Sequence, residues 1–345
     1  MNSNIPNRPV VVMTSINSPT DKLQEFSEMC VENEFDLIVV GDEKSPADYR
    51  LRGANYWSLE RQESLPWSLK ESLPLNSYSR KNLAYLIAIQ EGAEYIVETD
   101  DDNFPTGNFW KRRQKNVRCE EYKNSGWFNV YLEFSDGFIW PRGFPLIRIL
   151  DQRKNRVRLE LSEVCAPIQQ GLVHGDPDVD AIFRLTQNKI PSFNDREPVA
   201  LGEQSWCPFN SQNTTWFPSA FPLLYLPSYC TFRMTDIWRS FVAQRIAWEY
   251  GWSICFRAPD MIQKRNPHNL MVDFEGEVSG YLKNEEICDI LNGVGLSSSE
   301  GSVSNNLMVC YDAIVTNGFL PPKELDLVRD WLEALNDLSG KSDVT

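Results

Sequence analysis

The order of apolar and amphipathic segments near the start of the chain most constrains its fold. Residues 8–16 have the apolar, β-branched pattern of a strand, residues 20–34 that of an amphipathic helix, and residues 36–41 (DLIVVG) that of a second strand. A strand, a helix and a strand at this spacing predict a βαβ unit, which requires a parallel pair of strands and a right-handed crossover. This segment therefore predicts an open, doubly wound α/β sheet.

A third predicted strand ends in three adjacent carboxylates. Residues 79–93 (SRKNLAYLIAIQEGA) have apolar side chains at helical spacing, with Ser79 as the expected N-cap, and a strand at 94–99 follows. The aspartates at 100–102 come next, where an open α/β sheet binds its ligands. Three like charges repel, and a folded chain accommodates them in water or around a cation. The triplet indicates either a metal-assisted ligand site or a solvated acidic turn.

Further polar residues are predicted near the same edge of the sheet. Thr14 and Ser15 follow the first strand and Asp42 follows the second, where they would either contact a base or ribose or simply form turns. Arg80 and Lys81 begin the helix that precedes the triplet. Two cations at a helix N-terminus oppose the macrodipole, and a pyrophosphate would relieve that opposition. A diphosphate site and chance surface placement both remain open for this pair.

Two later segments supply further candidates. Asp236 begins a predicted helix at 235–250, so its carboxylate is either an N-cap or a general base for an acceptor hydroxyl. His268 lies beside Lys264 and Arg265. The imidazole could join carboxylate and phosphate oxygens around a metal ion, and the basic pair could hold phosphate.

The composition excludes some classes of protein. The 34 basic and 48 acidic residues give a formal charge of -14, which argues against a general nucleic-acid or anionic-membrane binder. No run approaches the roughly 18 apolar residues of a transmembrane helix, so no transmembrane segment is expected. The eight cysteines form no CxxC pair, which disfavours zinc and a disulfide framework. These features predict a cytoplasmic protein, with peripheral association with a membrane left open.

The domain organisation is predicted from the later helical patterns. Helices are expected at 284–293 and 322–338, and no clear linker precedes them. We therefore expect one catalytic domain over residues 1–283 and a helical C-terminal extension over residues 284–345.

Four segments resemble a known family. SRKNLAYLIAIQEGAEYIVETDDDN, PRGFPL, PFNSQNTTW and FRMTDIWRSFVAQRIAW look like the STELLO-type glycosyltransferase-like proteins, over roughly residues 8–285. A more distant similarity is to the reversibly glycosylated polypeptides, which include UDP-arabinopyranose mutases. That similarity rests on the DDD triplet, the DIW segment and a G-aromatic-P segment whose arginine aligns with Arg148 when a one-residue gap is allowed.

The resemblance implies a GT-A fold, with an open mixed sheet flanked by helices, and assigns roles within it. In this DxD-like motif Asp100 and Asp102 flank Mn²⁺ or Mg²⁺, with Asp102 as the direct ligand and Asp100 nearer the ribose. His268 falls where many such enzymes place a late metal ligand. Arg80 meets the diphosphate or ribose, and Asp236 occupies the position of the base in inverting enzymes.

The expected function follows from this resemblance. It is metal-dependent transfer of a sugar from a nucleoside-diphosphate sugar, foremost a UDP-sugar, to a glycan or other hydroxyl acceptor. Either Arg80 and Lys81 or Lys264 and Arg265 would assist the departing diphosphate. Two alternatives stay open: a UDP-sugar mutase with Arg148 in its site, and a non-catalytic accessory protein that binds a nucleotide sugar.

Overall fold

The fold is seen in a computed structural model that describes residues 7–150, 160–264, 269–299 and 301–342. Its strands are, in chain order, β1 (Val10–Thr14), β2 (Asp36–Val40), β3 (Ala54–Trp57), β4 (Ile96–Thr99), β5 (Asn103–Pro105), β6 (Asn116–Tyr122), β7 (Gly126–Trp127), β8 (Leu161–Cys165), β9 (Ile168–His174), β10 (Val199–Leu201), β11 (Ser205–Trp206), β12 (Asn213–Trp216) and β13 (Ile254–Gln263). Its helices are α1 (Asp21–Glu32), α2 (Leu59–Gln62), α3 (Leu69–Ser72), α4 (Lys81–Gln90), α5 (Tyr131–Phe134), α6 (Ala181–Thr186), α7 (Thr235–Glu249), α8 (Leu270–Gly293), α9 (Val303–Thr316) and α10 (Glu324–Ser342).

A mixed sheet of 11 strands runs through the described part of the chain, and β7 pairs with β11 in a separate small sheet. The strand order is β3-β2-β1-β4-β12-β9-β13-β10-β6-β8, with β5 paired to β13. β1 lies between β2 and β4 and is parallel to both, with Val10 opposite Asp36 on one side and Ile96 on the other. The predicted βαβ unit is therefore confirmed, and the triplet strand lies beside it.

The apolar residues of the first strands alternate between two buried layers, as the two-residue period of a strand requires. Val10 and Val12 contact the layer that contains α4, α7 and the C-terminal helices. Val11 and Met13 contact the layer that contains α1. Strands with both faces buried explain the nearly unbroken apolar runs of the sequence.

A buried ion pair ties the middle of the sheet to α7. Glu98 on β4 accepts hydrogen bonds from Arg239 at 2.7 and 2.8 Å and from the Trp216 indole at 2.8 Å. The side chains of Glu98 and Arg239 are 0% and 1% exposed. Because a buried charge needs a partner and further hydrogen bonds, this pair specifies how α7 packs on the strand that precedes the triplet.

Two expected N-cap residues are wrong. Ser79 does not cap α4, because it lies inside a short 3-10 turn, Tyr78–Arg80, that immediately precedes the helix. Asp236 is not an N-cap, because α7 begins at Thr235 after Met234, without a side-chain cap. Both aspartate and serine are strong capping residues, and here tertiary hydrogen bonds to other partners override that preference.

The C-terminal helices pack on the main core. α9 and α10 contribute Leu307 and Trp331 to the same buried cluster as α4 and α7. The division between residues 283 and 284 stays a prediction, and the structure places both residues inside α8, which is longer than the expected helix at 284–293. No helix among the described residues is long and apolar enough to cross a bilayer.

The observed architecture is an open mixed α/β sheet flanked by helices and followed by C-terminal helices. This confirms the expected fold class.

Candidate active site

The carboxyl ends of β1, β2 and β4 open into one cavity of about 460 Å³. Thr14 and Ser15 line it from the end of β1, Asp42 from the end of β2, and the triplet from the end of β4. Because these strands are parallel neighbours, their carboxyl ends lie at one edge of the sheet. The other described lining residues follow β1 and β2, precede α4, or come from later loops, α6, the start of α7 and the end of β13. They are Ile16, Asn17, Lys44, Asn76, Ser77, Tyr78, Arg142, Asp178, Arg184, Asn210, Ser211, Gln212, Phe232, Arg233, Asp236 and Gln263.

The first carboxylate of the triplet is oriented by a buried lysine. Lys81 Nζ lies 3.0 Å from Asp100 Oδ1 and also donates to the Thr99 carbonyl at 2.7 Å. The Tyr78 hydroxyl donates to the same Asp100 oxygen at 2.7 Å. Lys81 is 0% exposed, so α4 presents this cation from behind the triplet. Lys81 was expected at the diphosphate, and the structure instead places it against Asp100.

The other two carboxylates of the triplet accept hydrogen bonds from residues at the ends of β1 and β13. Asp101 accepts a hydrogen bond of 2.6 Å from Ser15 Oγ. Asp102 accepts from Gln263 Nε2, at the end of β13, at 3.0 and 3.2 Å. The triplet therefore joins the loop after β1 to the end of β13.

Burial and mutual repulsion both raise the pKa values of carboxylates in the triplet. Burial and the nearby carboxylates of Asp100 and Asp101 raise the pKa of Asp102 to about 7, against a smaller lowering by Gln263. Burial is also the main reason that the pKa of Asp101 is raised. A site that destabilises its own carboxylates in this way gains stability when a cation enters.

The residues present fit a metal ion held largely by a ligand. No group of three or more His, Cys, Asp or Glu side chains within the described ranges is arranged to hold a metal by itself. Mg²⁺ is commonly bound through one or two carboxylates with substrate phosphates and water completing its shell. Asp100 and Asp102 are two such carboxylates facing one cavity. His268, the third expected ligand, and Arg265 lie outside the described residues.

An arginine opposite the triplet joins two further carboxylates. Arg142 donates to Asp236 at 3.0 and 2.8 Å and to Asp178 at 2.7, 2.8 and 3.1 Å. Arg142 is 5% exposed and Asp236 also 5%. Such forked, charge-assisted hydrogen bonds fix the orientation of all three groups.

Asp236 is held in its charged form. Burial would raise its pKa, but the adjacent Arg142 guanidinium outweighs that effect, and the pKa falls to about 2. The Ser211 amide also donates to Asp236 Oδ2 at 3.2 Å. An acid of such low pKa accepts a proton poorly, so Asp236 in this geometry is a strong partner of Arg142 and a weak base.

The loop that carries Arg142 is fixed by the residue that follows it. Gly143 has φ +85°, and a Cβ there would lie 2.5 Å from Ile237 Cγ2 on α7. The Gly143 carbonyl accepts a hydrogen bond of 2.8 Å from Asn284 on α8. The PRGFP segment therefore needs glycine both for its backbone conformation and for its contact with α7.

Three expected ligand residues lie away from the cavity wall. Arg80 is 2% exposed, and its Nε and Nη1 donate to the Gln62 side chain at 3.1 Å and the Leu73 carbonyl at 3.2 Å, so it joins α4 to the chain before it. Arg148 is half-exposed and pairs with Glu285 at 2.5 Å. Lys264 lines a neighbouring cavity that also contacts Asp102.

Asp42 lines the cavity and also shapes its own turn. Its carboxylate accepts from the Glu43 amide at 2.7 Å and from the Ser77 amide at 3.0 Å. The contact with Ser77 draws the segment before α4 to the end of β2. Asp42 is therefore both a turn residue and a residue of the cavity wall.

Sequence reasoning missed most of the wall opposite the triplet. Arg142 and Gln263 were not singled out, although Arg142 stands in the PRGFP segment whose arginine was assigned to Arg148, and Asp178 was noted only as part of the acidic DPDVD run, with the spacing of a weak calcium loop. The sequence could have indicated Gln263, because it ends an apolar strand directly before the candidate residues Lys264 and Arg265. Asp178 had no signal beyond the acidic DPDVD segment, because its role depends on a partner 36 residues away in the chain.

Parts of this chain are similar to known proteins. A family model described as STELLO glycosyltransferases matches residues 233–342, which include Asp236 and the C-terminal helices. Two Arabidopsis thaliana proteins, Probable glycosyltransferase STELLO2 and Probable glycosyltransferase STELLO1, are 30% and 29% identical to this chain over 268 residues, which cover 72% of it. The chain spans 35% and 34% of the lengths of these relatives.

A solved structure described as a mycobacterial protein aligns with a TM-score of 0.40 and 12% identity, covering 84% of this chain and 78% of its own. The family model and the two curated relatives confirm the resemblance to the STELLO type. Over the matched parts, the chain is similar to the STELLO glycosyltransferases.

Proposed function

We propose that this chain transfers a sugar from a UDP-sugar to a hydroxyl of a glycan or other acceptor, with Mn²⁺ or Mg²⁺ at Asp100 and Asp102. The observation that carries the proposal is the shared cavity, which brings the triplet together with polar groups after β1 and β2 and with Arg142. Its place at the carboxyl ends of parallel strands suits a nucleotide.

The charges of the cavity support dependence on a cation. Six carboxylates line it within the described chain: Asp42, Asp100, Asp101, Asp102, Asp178 and Asp236. Four basic side chains line it as well: Lys44, Arg142, Arg184 and Arg233. A diphosphate would enter this acidic surrounding against repulsion, so a divalent cation between it and the triplet is needed to make binding favourable.

The donor would lie between the two walls. Thr14, Ser15 and Asp42 would contact the nucleoside, because they follow the first two strands. A bound cation would neutralise charge on the departing diphosphate. Lys81 would hold Asp100 in place from behind, since its three contacts leave it no free donor directed at a ligand.

Arg142 would connect donor binding to the acceptor. A phosphate or sugar oxygen that takes one of its N–H groups would weaken its contact with Asp236, and the pKa of that carboxyl would rise from about 2. Asp236 would then be able to accept the proton of the attacking hydroxyl. Phe232, which is 62% exposed at the same cavity, offers an apolar surface for the acceptor.

The proposal is tested by incubating the protein with Mn²⁺, a panel of UDP- and GDP-sugars and a panel of glycan acceptors, and measuring release of nucleoside diphosphate. We expect release with at least one UDP-sugar that depends on both metal and acceptor. NMR of the UDP-sugar without acceptor tests the alternatives. Ring-form interconversion there would favour a mutase, whereas binding without any turnover would favour an accessory protein.

A further inference from the structure

A second cavity of about 440 Å³ lies beside the loop at 106–115, between β5 and β6, and shares no lining residue with the candidate active site. Six basic residues line it: Lys111, Arg112, Arg113, Arg118, Arg196 and Arg257. Only two acidic residues, Asp195 and Asp260, lie among its described lining residues. In a chain with a formal charge of -14, this concentration of positive charge requires an explanation.

Some of this positive charge is neutralised by carboxylates. Arg112 pairs with Glu94 at 2.8 Å. Arg196 pairs with Glu120 at 3.0 Å and with Glu133 at 2.9 Å. These pairs form part of the cavity wall. The two more deeply buried arginines of the wall, Arg113 and Arg257, are not among them.

Arg113 and Arg257 share one carboxylate. Arg257 Nη1 lies 3.1 Å from Asp260 Oδ2, and Arg113 Nη2 lies 3.5 Å from the same oxygen. The side chain of Arg113 is 2% exposed and that of Arg257 is 19% exposed. The other Asp260 oxygen accepts a hydrogen bond of 2.5 Å from Asn213. Two guanidinium groups therefore face one carboxylate, which leaves a net positive charge.

Most guanidinium nitrogens of this pair have no hydrogen-bond acceptor in the described chain. They are Nε, Nη1 and Nη2 of Arg113 and Nε and Nη2 of Arg257. Burial and the neighbouring Arg257 lower the pKa of Arg113 to about 10, with Asp260 and the Tyr95 hydroxyl opposing them. Buried N–H groups of a cation are costly to leave unpaired, so this arrangement favours an incoming group with several acceptor oxygens.

The backbone holds these side chains in place. The register of β13 against β9 shifts between Arg257 and Met261, an irregularity of the kind that redirects side chains. The loop that carries Arg113 is fixed to the same stretch, because the Thr106 amide and hydroxyl both donate to the Asp260 carbonyl, at 2.9 and 3.1 Å. The Phe109 ring covers the Arg113 guanidinium, with 4.7 Å between ring centroid and Cζ.

We propose that this pocket binds a small oxyanion of the phosphate or sulfate type, held by Arg113 and Arg257, with the exposed Lys111 and Arg118 at its rim. A tetrahedral oxyanion supplies the acceptors that both guanidinium groups lack and offsets the net charge that Asp260 leaves. The oxyanion is either free in solution or the headgroup of an anionic lipid. The proposal does not depend on the function of the candidate active site.

The test uses the whole chain without metal or nucleotide. Inorganic phosphate is titrated against the protein at constant ionic strength with chloride, and binding is followed by calorimetry and by thermal shift. We expect saturable binding of phosphate. Arg257→Gln should weaken it at least tenfold, whereas Arg52→Gln, which removes the same charge from an exposed pair with Glu28, should leave it unchanged. Arg257→Lys keeps the charge without the fork and should also weaken binding.

Vesicles of phosphatidylcholine with and without phosphatidic acid distinguish the two sources. Binding only to the anionic vesicles, in competition with phosphate, would assign a lipid headgroup, and phosphate binding without vesicle binding would assign a free anion. Absence of saturable phosphate binding by the unmodified protein would overturn the proposal. Equal weakening by Arg257→Gln and Arg52→Gln would do so too, since the effect would then be one of general charge.

Discussion

Arg142 and Asp236 face each other through two hydrogen bonds, with Nη1 3.0 Å from Oδ1 and Nη2 2.8 Å from Oδ2. The same guanidinium group holds Asp178, so one buried cation satisfies two carboxylates at the cavity wall. This arrangement joins the loop after α5 to the start of α7. It also fixes which groups can approach a donor from the side opposite the triplet.

Arg142→Gln should destabilise the protein strongly. The change leaves two largely buried carboxylates without their cation, and breaking such pairs typically costs about 3–5 kcal/mol. Urea unfolding would measure the difference in the free energy of unfolding. Arg148→Gln is the matched control, because it removes the same charge from an exposed pair with Glu285 and should cost about 0–1 kcal/mol. Equal losses would contradict the account of Arg142.

Asp236→Asn and Asp178→Asn should differ in turnover. Both remove one carboxylate partner of Arg142 from the same cavity. If Asp236 accepts the acceptor proton, its replacement should lower kcat about 10²–10⁴-fold, whereas Asp178→Asn should lower it much less. Steady-state kinetics with saturating donor would show the difference. A similar loss in both variants would assign Asp236 to the positioning of Arg142 alone.

The stability of the metal-free protein should fall as the pH rises through 7. The folded pKa of Asp102 is raised above its ordinary value of 3.8 to about 7. The folded state therefore binds the proton more tightly than the unfolded state, and this contribution to stability is full below pH 3.8 and lost as the pH rises through 7.

Chelator-treated protein at pH 5 and pH 8 provides the measurement. Asp102→Asn should raise the free energy of unfolding relative to the unmodified protein more at pH 8 than at pH 5, because only the ionised carboxylate is destabilised by burial and repelled by its neighbours. An equal effect of the substitution at both pH values would show that Asp102 is not strained by the triplet.

Glu98→Ala should be among the most destabilising single changes in the sheet. It leaves Arg239 buried without its carboxylate and removes the acceptor of the Trp216 indole. We expect a loss of about 3–5 kcal/mol. The double variant Glu98→Ala with Arg239→Met should recover part of it, because no buried charge then remains. A double variant no more stable than the single one would count against uncompensated charge as the cause.

The first third of the fold could be predicted from the sequence because its contacts are local or follow a fixed rule. β1, α1, β2 and β4 have clear periodicity, and the parallel pairing of β1 with β2 and β4 follows from the crossover between them. The same reasoning placed the triplet at the carboxyl-end edge of the sheet, where the cavity opens. The spacing of apolar residues was enough to predict these strands and helices.

The opposite wall could not be predicted in the same way, because its residues meet only after folding. Arg142 and Asp236 are 94 positions apart in the chain. The arginine of the PRGFPL region was assigned to Arg148, but Gly143, with φ +85° and its contact with Ile237, directs Arg142 inward. Arg80 was expected to contact the diphosphate, but it is buried instead, because its guanidinium group donates a hydrogen bond to the Gln62 side chain.

The proposed function requires the triplet to bind a nucleoside diphosphate through a divalent cation. The most direct test is isothermal titration of UDP into the protein, with Mn²⁺ and with chelator, for the unmodified chain, Asp102→Asn and Asp326→Asn. Asp326 is an exposed residue of α10 that gives the same change in charge. We expect binding that requires Mn²⁺, is lost in Asp102→Asn and is retained in Asp326→Asn. UDP binding that is equally tight with chelator, or unchanged in Asp102→Asn, would contradict the role of the triplet.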